Sequence, residues 1–215
     1  MKSTAEHNTI CAVESARLCF EVAGPRRREA ILQLRQAVYG DELGYGPRAV
    51  EWGPIDERAI HLLAMSAAGE AVGMMRLLGS TARPFEMETS LDLTPFLRPG
   101  HPPGETTRLC IAAPFRRITR AMHVHLGLIR LLYGACQTQN IHDIFICAVP
   151  TVQKMYESIL FEALTPPNIP YLPFGGVPHL LMRLHMVDLP TRYAAANHPL
   201  RAAFAPPAGE DTITR

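Results

Sequence analysis

Three ionisable side chains stand in runs that otherwise read as buried strands. Arg76 interrupts Val72-Gly73-Met74-Met75-Arg76-Leu77-Leu78, and Glu105 and Arg108 interrupt Gly104-Glu105-Thr106-Thr107-Arg108-Leu109-Cys110-Ile111. Charge in such a setting is costly unless it is paired or put to use. A carboxyl lifted toward neutral pH by burial can act as a general base. Arginine can hold a substrate carboxylate in a two-pronged grip. A closed structural ion network is the other reading of the same three residues.

The junction Ile111-Ala112-Ala113-Pro114-Phe115-Arg116-Arg117-Ile118-Thr119-Arg120 offers a second chemistry. A loop that opens a helix presents free N–H groups and a positive dipole end to a phosphate. Arg116, Arg117 and Arg120 add fixed charge there, or else form a solvated basic helix start. Cys110 lies beside the proposed site, where a buried structural thiol is expected rather than an activated nucleophile. His123 and His125 are two apart on a helix and point away from each other, so no metal site is expected. Trp52, in a proline-bounded loop, covers the site or packs on it.

These residues need a scaffold, and the pattern supplies one. Residues 17–23 alternate as a half-buried strand, and residues 26–43 form a helix with Ile31, Leu34 and Val38 on one stripe. A Gly/Pro-rich loop covers 44–58. Strands 59–67 and 71–78 flank the Gly69-Glu70 turn. A long proline-rich insertion, 79–104, contains a helix candidate at 90–97 capped by Ser90. Strand 105–112, a long helix to about Gln139, strand 143–149, helix 151–163 and strand 179–187 complete an α+β order with a mixed, twisted sheet flanked by helices on both faces. One domain over 1–188 and a Pro/Ala-rich tail, loose or docked, over 189–215 are expected.

At 215 residues, 47% hydrophobic and a net charge of +1, the chain can bury a large core and carries no basic field for nucleic acid. Its five cysteines form no CxxC pair and several lie in apolar runs, which suits a reducing compartment. The N-terminus has no apolar signal core, and His123, His125 and Arg130 interrupt the most apolar helix, so no membrane span and a cytoplasmic location are expected.

Pro114-Phe115-Arg116-Arg117, the helix, the strand after it and Lys154-Met155-Tyr156-Glu157 resemble the second half of a GNAT-fold acyltransferase. Arg35…Tyr39, Asp41-Glu42-Leu43-Gly44-Tyr45, the acidic loop to Asp56, Arg76-Leu77-Leu78 and Glu105-x-x-Arg108 narrow this to a resemblance to acyl-homoserine-lactone synthases and N-acyl amino acid synthases, over about residues 17–187. The resemblance implies an N-acyltransferase that joins an acyl thioester to the amine of an amino-acid-like small molecule. It also implies that Arg35, Tyr39 and Tyr45 order the N-terminal region over the site, and that Asp56 is the second acid of a pair. Glu105 would be the catalytic base, with Trp52, Arg76 and Arg108 near the acceptor. Cys110, Ile111, Ala112 and the three arginines 116, 117 and 120 would meet the pantetheine arm, and backbone N–H groups near 110–112 would receive the oxyanion.

Two departures from that pattern shift the expected substrates. Thr119 stands where the pyrophosphate loop has its first glycine, and a side chain there hinders close backbone approach. This favours acyl carrier protein over coenzyme A as donor and partner, with no permanently bound cofactor. Gly53 stands where the lactone synthases carry a first acid, with Glu51 as a stand-in. S-adenosylmethionine therefore remains one acceptor among several amino acids. A coenzyme A-dependent acetyltransferase and a catalytically silent acyl- or carrier-binding module are the alternatives.

Overall fold

The computed structural model describes residues 18–116 and 118–204. Strands Cys19–Val22 (β1), Ile60–Met65 (β2), Ala71–Leu78 (β3), Pro103–Ile111 (β4), Asp143–Ala148 (β5), Glu162–Ala163 (β6), Ile169–Tyr171 (β7) and Val177–His185 (β8) form an eight-stranded sheet in the order β1-β2-β3-β4-β5-β8-β6, with β7 on β8. The β4–β5 pair is parallel and the other pairings are antiparallel.

Strand alternation builds a layer on each face. Leu62, Val72, Leu77, Ile111, Ile144, Leu180 and Met182 pack beneath the helix Ile118–Thr138 (α3). On the other face, Leu63, Met65, Met74 and Cys110 meet Ile31, Leu34 and Val38 of the helix Arg28–Arg35 (α1). Farther along that same face, Leu78, Phe145 and Leu181 meet Phe85, Met87 and Leu93 of the insertion. Burial of this extent, at about 25 cal/mol per Å² of apolar surface, is the main force holding the layers. The charged residues fall on the second face, between its two apolar clusters.

Parallel pairing of β4 with β5 covers only Pro103↔Asp143, Gly104↔Ile144 and Glu105↔Phe145. Past Glu105 the two strands part, while β4 runs on to Ile111 beside β3 and β5 runs on to Ala148 beside β8. Gly104 permits the tight approach before this fork. A Cβ there would lie 2.9 Å from Ile141 and 3.0 Å from both Ile144 and the Leu78 carbonyl. At the closed end of the fork, the Arg98 guanidinium donates to Asp143, to His101 Nδ1 (3.3 Å) and to His185 Nδ1 (2.7 Å), which pins the end of the insertion to β5 and β8.

Several expected elements change. The helix expected over 26–43 is a short 3₁₀ turn, then α1, then a π-helical stretch Gln36–Glu42. The wider turn lets the adjacent residues Val38 and Tyr39 both face the core. The loop over 44–58 contains the short helix Pro47–Val50 (α2). In the insertion, Ser90 caps no helix; its Oγ accepts the Leu172 N–H at 2.9 Å, and only a 3₁₀ turn forms at Thr94–Phe96. The helix expected over 151–163 stops at Ser158 (Gln153–Ser158, α4), because Leu160 takes φ +69° and edge pairing captures Glu162 and Ala163. The segment after residue 188 includes a helix, Leu189–Ala195 (α5), whose buried Tyr193 joins the core under α3. Its residues beyond 204 lie outside the described ones. No described helix is long and apolar enough to cross a membrane.

Candidate active site

The geometry around Arg76, Glu105 and Arg108 starts with a bulge. Arg76 pairs with Thr107, but Met74 pairs with Cys110, so β4 carries one residue more than β3 between these rungs. Arg108 sits in this extra turn at φ +56°, which a non-glycine residue adopts only at a cost. In a regular strand, Glu105 and Arg108, three apart, would face opposite sides. The bulge brings the Arg108 guanidinium to the face that Glu105 and Arg76 already share.

Arg76 donates from Nε to Thr107 Oγ1 (3.0 Å), from Nη1 to Asp56 Oδ1 (3.2 Å) and from Nη2 to Glu86 Oε2 (2.6 Å). Arg108 grips Glu86 with both prongs, at 2.9 and 2.8 Å, donates to the Arg48 carbonyl at 2.9 Å, and lies 4.9 Å over the Phe174 ring. Arg35, one turn beyond Ile31 on the buried stripe of α1, donates to Asp56 Oδ1 at 2.6 Å. Asp56 also accepts the Gly53 N–H at 3.0 Å, and these partners hold its carboxyl well below the usual carboxylate range despite burial. With Glu105 ionised, three guanidiniums face three carboxylates inside the protein.

Glu105 is fully buried and accepts two backbone N–H bonds, from Glu86 (2.7 Å) and Met87 (2.9 Å). Burial and the neighbouring Glu86 carboxylate push its carboxyl up to about 7, against the opposing pull of Arg76 and the two N–H groups. It stands where β4 and β5 part. A carboxyl that loses its proton near neutrality, at a fork between strands, has the properties of a general base.

The other expected site residues fall into three groups. Tyr39 donates to the Leu109 carbonyl at 3.0 Å, and the rings of Tyr39, Tyr45 and Phe174 cluster, with Tyr45 and Phe174 stacked at 4.8 Å. Trp52 lies over the His61 ring at 4.7 Å, with the Arg28 guanidinium 4.8 Å from its own ring, so it packs over the outer side of the cluster. Cys110 faces the α1 layer, and burial pushes its thiol up to about 12, which suits a structural thiol. Ile111 points to the opposite layer, under α3. The Ala112 N–H is already donated to the Val72 carbonyl at 2.9 Å, so it is not an oxyanion donor. Arg116 reaches back to the Ile111 carbonyl (2.6 Å) and pairs with Glu42 (2.5 Å). Arg117 and the Arg120 side chain lie outside the described residues.

Sequence reasoning missed Glu86, His61 and Tyr171. His61 Nε2 lies 3.1 Å from the Asp56 carbonyl, and burial lowers its pKa so that the ring stays neutral. The Tyr171 hydroxyl donates to Glu86 at 3.4 Å. A signal for Glu86 was present: three buried arginines need three acids, and Asp56 and Glu105 supply two. Glu51, the expected stand-in for the missing acid, is exposed, and only its carbonyl meets Arg35, at 3.4 Å.

A mixed sheet forked between its parallel strands is the architecture of the GNAT-like fold. Solved structures agree on the fold. The N-acyl amino acid synthase FeeM from uncultured soil microbes superposes with a TM-score of 0.68 at 15% identity, covering 88% of this chain and 97% of that one. The coenzyme A-dependent acyl-homoserine lactone synthase BjaI superposes at 0.61, with 16% identity over 85% of this chain and 90% of that one. The acyl-homoserine lactone synthase LasI gives 0.58, with 15% identity over 79% and 90%. No curated protein matches at the sequence level. The model of the N-acyl amino acid synthase FeeM family matches residues 30–185, most of the chain, and the protein belongs to that family. It is an N-acyltransferase.

Proposed function

We propose that this acyltransferase takes its acyl group from an acyl-carrier-protein thioester and places it on the α-amine of an amino acid, with Glu105 as the base. The observation that carries the reading is the buried Glu105 carboxyl, at about 7, where β4 leaves β5. A free α-ammonium has a pKa of about 7.7–8.0, so a group of this strength can take its proton directly or through water. The amine nitrogen then attacks the thioester carbonyl. The C–S bond breaks as the tetrahedral adduct collapses, and the departing thiolate takes up a proton. Antiparallel alternation turns the Ile111 N–H away from β3, toward the fork, because its neighbour Ala112 bonds β3. Six residues of strand, about 18–20 Å, separate that N–H from Glu105, so it is not the oxyanion donor for an amine that Glu105 deprotonates.

Thr119, in place of the first glycine of the family's pyrophosphate loop, supports a donor with one phosphate rather than a nucleotide. Gly53 supports an amino-acid acceptor rather than S-adenosylmethionine, since nothing lies within 4 Å of where its side chain would begin and no acid takes that place. Arg76 and Arg108 are proposed to serve the site through Glu86, which occupies both guanidiniums here, and Arg35, Tyr39, Tyr45, Trp52 and Asp56 to hold the wall over the acceptor. Purified protein, supplied with matched acyl-carrier and acyl-coenzyme A donors and a panel of amino acids plus S-adenosylmethionine, should give an N-acyl amino acid by mass spectrometry, faster from the carrier. Release of methylthioadenosine, or preference for coenzyme A, would reject the acceptor or donor assignment respectively.

A further inference from the structure

We propose that Glu86 is a positioning residue for the acyl transfer: its carboxylate locks the Arg76 and Arg108 guanidiniums, and its charge, held beside Glu105, sets the pH at which Glu105 becomes a base. This rests on the reading of Glu105 as the base, but its central claim concerns Glu86 alone.

Glu86 comes from the insertion, in a 3₁₀ turn Glu86–Thr89 that the fold holds firmly. The Thr89 hydroxyl donates to its carbonyl at 2.8 Å, and Glu88 just beyond it pairs with Arg83 and accepts the Phe85 N–H at 2.7 Å. Nothing in the strand pattern requires an acid here. Yet its two oxygens collect Arg76 Nη2, both terminal nitrogens of Arg108 and the Tyr171 hydroxyl. The bulge at Arg108 aims that guanidinium at Glu86, not at Glu105. An arginine free to turn to Glu105 would hold it ionised and make it a weak base.

Glu86 acts on Glu105 in two opposed ways. Its backbone N–H donates to Glu105 Oε2 at 2.7 Å, which favours the carboxylate. Its side-chain charge disfavours the carboxylate and, among the neighbouring charges, is the largest contribution raising Glu105. The other groups that act on Glu105 are Arg76 on β3, Cys147 on β5 and Tyr171 on β7, with Arg108 on β4 held to Glu86. Burial keeps the thiol and the phenol protonated, so they do not titrate in the working range. Arg76 opposes Glu86, and Glu86 in turn neutralises Arg76. The insertion thus delivers one residue whose backbone fixes the base and whose side chain tunes it.

The test is the pH dependence of kcat in Glu86→Gln and Glu86→Asp, with Glu105→Gln as reference. In Glu86→Gln the acidic limb should move down by at least one pH unit, since a unit charge about 12 Å away already has that effect at an effective dielectric of about 20 and a closer one has more. The fraction of plateau rate at pH 6 should then rise at least fivefold. Glu86→Asp keeps the charge and should keep the limb near its original pH even where the plateau falls. A lower plateau with an unmoved limb in Glu86→Gln would mean that Glu86 is only a structural clasp. Infrared titration of the protonated Glu105 carboxyl, assigned by its loss in Glu105→Gln, reads the same displacement without turnover. It therefore separates failure of this proposal from failure of the base assignment. If Glu86→Gln does not fold, Arg108→Gln/Glu86→Gln removes one charge of each sign, and its carboxyl band is compared with that of Arg108→Gln alone. An identical titration in those two proteins would overturn the proposal.

Discussion

Replacing Glu105 with Gln removes a group whose proton affinity differs sharply between the folded and unfolded chain. In the unfolded chain the carboxyl titrates near its ordinary 4.5, and in the fold burial and Glu86 raise it to about 7. Below pH 4.5 it is protonated in both states and the folded protein keeps its full stability. Between 4.5 and 7 the unfolded carboxyl ionises while the folded one still holds its proton, so stability falls as pH rises. Above 7 the loss is complete, at about 1.4 kcal/mol per pH unit, or about 3 kcal/mol in all. The assay is urea unfolding of wild type and Glu105→Gln at pH 4.5, 5.5, 6.5 and 8. Other titrating groups contribute alike to both proteins, so the difference in unfolding free energy isolates Glu105. It should move by about 3 kcal/mol against the wild type across this range. A difference that stays flat within about 0.5 kcal/mol would refute the placement of a high-affinity carboxyl in the core, and the catalytic reading with it. The same titration predicts that kcat of the wild type at pH 6 is about a tenth of its plateau, and that Glu105→Gln has no such limb.

Three further outcomes follow from neighbouring residues. Asp56→Ala strips Arg35 and Arg76 of a shared buried acceptor and should destabilise the fold by about 3–5 kcal/mol in thermal or urea unfolding at pH 7. In the wild type, the stability that Asp56 contributes is present above its unfolded range and is lost as acid protonates its lowered carboxyl. Cys110 should resist iodoacetamide at pH 8 in the native protein, since its thiol titrates near 12; complete alkylation within minutes would contradict its burial. Gly73→Ala places a Cβ 2.6 Å from Val124 under α3 and should cost about 1–3 kcal/mol, read as a lowered urea midpoint at unchanged slope.

The chain itself determined the sheet and the presence of a site. Continuous apolar runs marked β2, β3, β4 and β5 to within two residues at each end, because strands covered on both faces leave an almost unbroken apolar trace. Arg76, Glu105 and Arg108 stood out for the converse reason, as charges in places where charge is expensive. The helix that propensity favours at 90–97 does not form and the one at 151–163 ends early, since local propensity cannot register that Leu172 claims the Ser90 hydroxyl or that β8 captures Glu162 and Ala163.

Only the tertiary structure decided how the charges meet. A spacing of three in a strand separates Glu105 from Arg108, and one extra residue in β4 reunites them. That residue is a property of the pairing with β3, invisible along one strand. Glu86 lies nineteen positions before Glu105, in a segment without periodicity, and its role exists because the insertion folds back over β3 and β4. Sequence set which groups could do chemistry. Register and long-range closure, which depend on partners distant in the chain, set which of them are close enough to do it.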